Sequence, residues 1–396
     1  MPTAPLTIVD ARLADGTVTN VRIADGVVAA LGAQAKPGDD VLLAEEGLLL
    51  PALAEAHAHL DKAFLSEAVA NPEGDLMGAI RAIEAARDRI TRADTEARAE
   101  RAARLIATNG ATYIRTHADL TDGNGLASVE ALLAVRERLQ HLVRLDVVAL
   151  TGSPVVGPAG ANQRALLRDA IALGVDGVGG CPHLENDAEA AIDHFLEAAA
   201  SAGLPVDLHT DEHLDPNRST LAYLAAAVDR GFTQRVTASH CVSLCLRPEA
   251  EQHQVAEALA TAGVTVVALP ASNLYLQGRE HQQAMPRALA PIAALRAAGV
   301  NVAAGWDNLQ DPFNPVGRGD CLETAALMVM AGHLLPHEAF HSVSGAVRSM
   351  AGLPAAGTAV GYAADLVLLP AATVREAIAT GPGGRRVIMA GRLLPG

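Results

Sequence analysis

Cysteine and basic residues are both scarce in this sequence of 396 residues. The four cysteines, Cys181, Cys241, Cys245 and Cys321, are too few and too scattered for a disulfide framework, and no spacing predicts a structural zinc site. Lys and Arg number 30 against 45 Asp and Glu, which gives a formal net charge of −15. Because phosphate binding requires clusters of basic side chains, nucleic acid and anionic membranes are not expected as partners.

Long hydrophobic runs are absent, although 50% of the residues are hydrophobic. The longest runs, such as residues 264–271, fall well short of the roughly 20 residues that span a bilayer. The N-terminal MPTAPLTIVD also lacks the basic region and apolar stretch of a secretory signal. We therefore expect a cytoplasmic protein that acts on a small neutral or cationic molecule, with assembly into a homo-oligomer left open.

Several catalytic motifs are missing as well. The sequence contains no GxxxxGK[ST] loop, no GxGxxG that follows a strand and opens a helix, and no GxSxG elbow. Phosphoryl transfer and serine hydrolysis are therefore not predicted.

Eight short apolar runs alternate with Ala-, Leu- and Arg-rich segments of helical periodicity. The runs begin near residues 48, 112, 145, 174, 205, 236, 265 and 300. Continuous apolar strands of this kind are expected in a parallel sheet that is covered on both faces. The pattern predicts an α/β fold, a (β/α)₈ TIM barrel of roughly 250 residues.

The two chain ends have a different sequence pattern, which predicts short strands separated by turn signals such as DG. We expect them to pair as one small β-sandwich subdomain. The predicted organisation is residues 1–50 for the N-terminal half of this subdomain, 51–352 for the barrel and 353–396 for the C-terminal half.

Five residues that are suited to metal binding end separate predicted strands. They are His57 and His59 in EAHAHLDK, His209 in DLHTDE, His240 in TASHC and Asp307 in AAGWDN. In a barrel, every strand delivers its last side chains to one rim. His57 and His59 are two positions apart, so strand alternation points both imidazoles to the same face. This pattern predicts a catalytic metal at the mouth of the barrel.

The motifs HAHLDKAF, HTDE, TASH, NLYLQGR, GWDNLQDPFNPVG and ADLVLLP occur in this order. Together they resemble the amidohydrolase superfamily and, within it, the cytosine deaminase branch, over about residues 48–370. The resemblance implies metal ligands at His57, His59, His209 and Asp307. It also implies catalytic side chains at Glu212 and His240.

The chemistry of these residue types agrees with that assignment. Imidazoles and a carboxylate suit one divalent ion, zinc or iron, with an open position for water. Such an ion lowers the pKa of its water from about 15.7 to about 7. Asp307 would also accept a proton from the water, His240 would orient it or polarise the substrate, and Glu212 would carry protons to the ring and the leaving group.

Substrate contacts depart from the cytosine deaminase pattern. Cytosine deaminases have a Gln after the third barrel strand and a second Asp after the metal-binding Asp, whereas this chain has Gly152 and Asn308. Cytosine is therefore expected to be a poor substrate. Trp306 and the motif residues Leu276 and Gln277 are further candidates for substrate binding.

The sequence thus predicts a metal-dependent hydrolase that cleaves a C–N bond of a small nitrogen heterocycle, with deamination of an amino-substituted ring as the leading reaction. Hydrolysis of a cyclic amide, removal of an alkylamine from a triazine-like ring and a noncatalytic metal-binding barrel are the alternatives. His117 and His183 match no ligand position, and their roles stay open between lining the pocket and stabilising the fold. Lys62 is expected at the surface or behind the ligands rather than as a carboxylated bridging lysine, and Asp61 is expected to orient the ligands.

Overall fold

A computed structural model describes residues 4–395 of the chain, so the first three residues of the predicted N-terminal segment and Gly396 lie outside the described residues. The chain begins with five strands, continues through a barrel of eight strands and returns to the first sheet with three more. The strands before the barrel are β1 (Leu6–Arg12), β2 (Val18–Ala24), β3 (Val27–Leu31), β4 (Asp40–Leu43) and β5 (Leu48–Pro51). The barrel strands are β6 (Leu53–Ala58), β7 (Ala111–Leu120), β8 (Arg144–Thr151), β9 (Gly177–Gly180), β10 (Val206–Thr210), β11 (Val236–His240), β12 (Thr265–Ala268) and β13 (Val302–Ala304). The last strands are β14 (Leu366–Leu369), β15 (Arg386–Met389) and β16 (Arg392–Leu393).

Helices fill the connections between the barrel strands and continue after the last of them. They are α1 (Leu76–Ala86), α2 (Arg92–Thr108), α3 (Ala127–Leu139), α4 (Ala161–Leu173), α5 (Ala188–Ala202), α6 (Leu221–Asp229), α7 (Glu249–Thr261), α8 (Pro270–Leu276), α9 (Ile292–Ala297), α10 (Cys321–Met330), α11 (Pro336–Ser342), α12 (Gly345–Met350) and α13 (Val374–Thr380). Short 3₁₀ turns lie at Arg87–Arg89, Pro158–Gly160, Pro182–Leu184 and Ser243–Leu246.

The eight barrel strands are parallel and pair in sequence order from β6 to β13. Every residue of β6, β10 and β11 is buried, as expected for strands with helices on one face and a packed barrel interior on the other. The main hydrophobic core lies largely between these strands and the outer helices. The predicted barrel is confirmed.

The barrel closes at a seam between β6 and β13. The N–H of Asp307 donates to the carbonyl of His57 at 3.0 Å, and the N–H of His59 donates to the carbonyl of Asp307 at 3.0 Å. The buried carboxylate of Glu55 accepts from the N–H of His57 at 2.9 Å and from that of Trp306 at 3.4 Å. The seam therefore fixes the backbone positions of residues from the first and last strands relative to each other.

The strands from the two chain ends form one sheet in the order β16-β15-β14-β5-β1-β2-β3, with β4 paired to β1, and this sheet has its own core. The apolar run predicted as a single strand from residue 48 divides at Ala52. Its first part, β5, pairs antiparallel with β14, whereas its second part, β6, enters the barrel. The N–H of Ala52 still donates to the carbonyl of Asp365, next to β14, whereas the N–H of Leu53 donates to the carbonyl of Gly110, next to β7, so the chain passes from the sheet into the barrel between these two residues. The boundaries at residues 50/51 and 352/353 stay predictions.

Within residues 4–395, no helix has the length and apolar character that crossing a bilayer would require. All four cysteines carry free thiols.

Candidate active site

Three imidazoles and one carboxylate converge at the mouth of the barrel. The Nε2 atoms of His57, His59 and His209 lie 3.1 to 3.3 Å from one another. Oδ1 of Asp307 lies 3.2 Å from Nε2 of His59 and 3.6 Å from Nε2 of His57. Tetrahedral zinc with ligand bonds of about 2.0–2.1 Å would separate its ligand atoms by about 3.3 Å, so these spacings suit a single ion. The structure therefore brings together the four residues that the sequence predicted as ligands.

The backbone turns sharply where the strands deliver these side chains. Asp307 and His240 have φ angles of 73° and 70°, a left-handed conformation that non-glycine residues rarely adopt. Such conformations persist where surrounding contacts hold them, and they cluster at functional sites. Both residues lie directly beyond or at the end of a barrel strand, where this turn directs the side chain toward the cavity.

A hydrogen-bonded chain behind His57 fixes which ring nitrogen carries its proton. The carboxylate of Asp207 accepts two hydrogen bonds, one from the guanidinium of Arg115 at 3.0 Å and one from the hydroxyl group of Ser239 at 2.9 Å. The oxygen of Ser239 lies 3.0 Å from Nδ1 of His57. Because the only hydroxyl proton of Ser239 is used on Asp207, Ser239 accepts from Nδ1–H, and Nε2 of His57 is left as a lone pair facing the cluster.

The electrostatics of the cluster favour a bound cation. Burial raises the pKa of Asp307, and burial together with neighbouring histidines lowers the pKa values of His57 and His209 well below the usual range. The imidazoles are therefore neutral and present lone pairs, and Oδ1 of Asp307 has no hydrogen-bond donor among residues 4–395. Neutral imidazole lone pairs beside a carboxylate form a donor set that fits a divalent metal.

His240 and Glu212 lie next to this cluster. Nδ2 of Asn273 donates to Nδ1 of His240 at 3.1 Å, so the ring proton of neutral His240 is on Nε2. Oε1 of Glu212 lies 3.5 Å from Nδ1 of His240. Burial, and to a smaller extent the charge of Asp307, raises the pKa of Glu212 well above its usual value. A carboxyl group with a raised pKa, beside an imidazole, is suited to proton transfer.

The loop after β10 holds Glu212 in place. Asp211 accepts hydrogen bonds from the N–H and hydroxyl of Thr220 at 3.0 and 2.9 Å and from the hydroxyl of Ser219 at 3.0 Å. Nε2 of Gln277 donates to the carbonyl of Glu212 at 3.1 Å. The sequence placed Gln277 in the pocket, but its amide instead holds the backbone that carries Glu212.

One cavity of about 660 Å³ connects the cluster with the protein surface, and it includes His59, His209, Glu212, His240 and Asp307. Gly152 and Asn308, which were predicted as substrate contacts, also line it. The amide of Asn308 is engaged elsewhere, because its oxygen accepts from Ser272 at 3.1 Å and its nitrogen donates to Asp311 at 2.9 Å.

Leu276, Gln277 and Trp306 are not among the residues that line the cavity. Trp306 is fully buried in the main core, and Leu276 is buried at the end of α8. The structure therefore gives no support to substrate contacts at these three positions.

Three other side chains complete the surroundings of the cluster. The ring of His117 packs on that of His57 with 3.9 Å between centroids, and neither of its nitrogens has a hydrogen-bond partner in the described chain. Lys62 is buried rather than at the surface and pairs with Asp119 at 2.5 Å and with Asp61 at 3.5 Å. Asp61 accepts from the N–H of Asp119 at 3.0 Å, so it orders the neighbouring strand end.

The sequence interpretation missed one cavity residue, Gln163, and left another, His183, without an assigned role. Gln163 on α4 donates to Asp122 at 2.8 Å and has an unpartnered buried carbonyl oxygen. A side chain at Gly152 would come to 2.9 Å from the backbone carbonyl of Leu120 and to 3.4 Å from this oxygen, so the close backbone is the main reason for glycine there. His183 donates from Nδ1 to the carbonyl of His209 at 2.9 Å, which leaves Nε2 as an acceptor. A polar residue early in the helix after the third barrel strand was the only sequence signal for Gln163.

Buried neutral histidines make the stability of the metal-free protein sensitive to acid. Burial lowers the pKa values of His183 and His240 to about 4. The unfolded chain, with a histidine pKa near 6.5, binds more protons between these values, so the free energy of unfolding falls as pH falls from about 6.5 toward 4, by about 1 kcal/mol per pH unit for each histidine. Urea unfolding at pH 7 and pH 5 measures this loss, and His183→Gln should reduce it. Equal midpoints at both pH values would contradict the expectation.

Comparison with known proteins agrees with this geometry. A family model described as "Amidohydrolase family" matches residues 74–394. A pterin deaminase from Rhizobium rhizogenes is 35% identical over 395 residues, which cover 97% of this chain and 87% of that protein.

Two solved structures share both fold and sequence with the chain. The 5-methylcytosine deaminase from Klebsiella pneumoniae, liganded with 5-fluorocytosine, superposes with a TM-score of 0.89 at 29% identity and covers 98% of this chain and 97% of its own. The N-isopropylammelide isopropylaminohydrolase from Burkholderia multivorans superposes with a TM-score of 0.85 at 28% identity. The match covers 99% of this chain and 98% of that protein.

Proposed function

The chain belongs to the amidohydrolase family, and from this premise we propose that it deaminates a fused, amino-substituted nitrogen heterocycle of pterin-like chemistry. It is a hydrolase that acts on a C–N bond of a small heterocycle. The observation that carries the proposal is the placement of Glu212 and His240 in the cavity that is also lined by three of the four converging residues, His59, His209 and Asp307. A barrel that only stored a metal would not require a proton-holding carboxyl group there.

We propose that His57, His59, His209 and Asp307 hold one divalent ion, zinc or iron, in each chain. Such an ion would acidify a water molecule and polarise the substrate. Asp307 is the only carboxylate in the proposed ligand set, so it is the group placed to take the proton that this water loses. Water adds at the ring carbon that bears the amino group.

Glu212 gives its proton to the ring nitrogen next to that carbon. The amino group then leaves as ammonia after receiving the proton that Asp307 took from the water, and the added hydroxyl group returns its remaining proton to Glu212 as the carbonyl forms. His240 donates from Nε2–H toward the developing negative charge, and Asn273 keeps it in that tautomer. Residues on four different barrel strands or strand ends thus divide the binding and proton transfer steps.

The substrate class is a proposal supported by two features. The pterin deaminase from Rhizobium rhizogenes is similar over nearly the whole chain. The cavity volume of about 660 Å³ lies within the roughly 300–1,000 Å³ range of sites for drug-sized ligands, more than a single ring needs. The cytoplasmic location, the homo-oligomer and a substrate without negative charge stay predictions from the sequence.

Pterin is expected to exceed cytosine as a substrate by about 10²-fold or more in kcat/KM, because Gly152 and Asn308 stand where the cytosine deaminase pattern has a Gln and a second Asp that contact the pyrimidine. Purified protein loaded with zinc or iron is assayed for ammonia release with pterin, cytosine, 5-methylcytosine and N-isopropylammelide, and products are identified by mass. Cytosine turnover comparable with that of pterin would refute this preference. Release of isopropylamine instead of ammonia would favour the triazine-type alternative.

A further inference from the structure

One face of α1 forms an apolar side of the cavity. Leu76, Met77, Ile80 and Ile83 all line it, at the spacing that places residues on one side of a helix, and we call them the α1 wall. The same cavity is lined by His209, Glu212 and Asp307. It thus combines polar reacting side chains with an apolar side.

The α1 wall leaves apolar surface exposed. Met77 is 46% exposed, and Leu76 and Ile80 are only partly buried, whereas Ile83 is buried at 3% in a small cluster with Leu65 and Val69. This cluster is separate from the main core of the barrel. Apolar side chains that face a cavity gain free energy when a ligand removes them from water.

The wall is held in place before any ligand binds. Asp75 caps α1 by accepting from the N–H of Gly78 at 2.7 Å. Nδ2 of Asn71 donates to the carbonyl of Asp75 at 3.0 Å and to that of Pro312 at 3.1 Å, which ties the start of α1 to the loop after β13. A preformed apolar surface costs a ligand little ordering free energy on binding.

We propose that the α1 wall binds an apolar or aromatic extension carried by the reacting ring, and that it makes extended heterocycles better substrates than single rings. This inference rests on the proposed function, because the reacting ring is assigned to the end of the cavity with Glu212 and Asp307. The extension then lies where Met77 and Ile80 are exposed, and contact with it excludes water from both surfaces.

A series of three compounds of increasing size that share one reacting edge tests the inference: isocytosine, pterin and a phenyl-substituted pterin. Wild-type kcat/KM is expected to increase in that order. The double variant Met77→Ser/Ile80→Ser should lose about 10-fold or more with the phenyl-substituted pterin and leave isocytosine unchanged, since a lost apolar contact of this size costs about 10- to 200-fold. Ala85→Ser, at an exposed position of α1 away from the cavity, is the matched control and should retain the wild-type ranking.

Equal losses with all three compounds, or a wild-type enzyme that prefers isocytosine, would overturn the role of the wall. If no compound is deaminated, the proposed function fails, and the wall is judged by binding alone. In calorimetric titrations of wild type, the phenyl-substituted pterin should then bind about 10-fold more tightly than pterin, and the double variant should lose this difference. Equal affinities in wild type would reject the inference independently of turnover.

Discussion

Replacement of Glu212 by glutamine is expected to lower kcat by about 10²- to 10⁴-fold while the protein keeps its metal, because general acid–base steps commonly contribute that much. Glutamine has nearly the same shape but cannot release or accept the proton that Glu212 holds. The hydrogen bonds of Asp211 and the contact of Gln277 with the carbonyl at position 212 do not depend on the substituted group. Steady-state kinetics and elemental analysis of the same preparation measure both quantities.

Glu84→Gln is the matched control for this variant. Glu84 is also a carboxylate that lines the cavity, but it is exposed on α1 and has no part in the proposed proton transfer. Its substitution should leave kcat near the wild-type value. Loss of metal in Glu212→Gln would make Glu212 structural, and near-normal turnover would remove it from the mechanism.

Replacement of His57 by asparagine is expected to abolish tight metal binding and, with it, turnover. Loss of a group that merely supports a ligand typically costs 10- to 100-fold in metal affinity, and removal of the ligand itself should cost more than about 100-fold. Metal competition with a chromophoric chelator measures the affinity, and circular dichroism establishes that the variant is folded.

His117→Asn provides the control for His57. Both side chains are fully buried and their rings are stacked, so the two substitutions disturb the packing similarly. His117 lies outside the proposed ligand set, although its ring nitrogens come close enough to those of His57 and His209 for it to be an alternative ligand. Loss of metal in His117→Asn together with retention in His57→Asn would replace the ligand set proposed above.

The convergence of His57, His59, His209 and Asp307 could be predicted from the sequence because barrel geometry supplies most of the information. Parallel strands bring their carboxyl ends to one rim wherever they lie in the chain, and alternation places His57 and His59 on one face. The Nε2 separations of 3.1 to 3.3 Å are the structural result. Sequence distances of up to 250 residues did not hinder this part of the prediction, because only the strand ends mattered.

Contacts from loops and helices could not be predicted in the same way. Trp306 is adjacent to Asp307, but adjacent residues near a strand end point in opposite directions, so Trp306 enters the core. Gln277 belongs to a motif of the family, yet its amide bonds to the carbonyl of Glu212. Gln163 and the α1 wall reach the cavity through tertiary packing, which no pattern of neighbouring residues in the sequence reveals.

The seam of the barrel links the proposed metal site to the cooperativity of unfolding. The amide hydrogens of His59 and Asp307 join β6 to β13, and the side chains of the same two residues belong to the converging donor set. Of all neighbouring barrel strands, β6 and β13 are the farthest apart in the sequence. A bound cation would therefore cross-link these two strands. Hydrogen–deuterium exchange at these two amides should be slow in the loaded protein and should accelerate on chelation before the strands opposite the seam respond, so that the barrel opens first along this line.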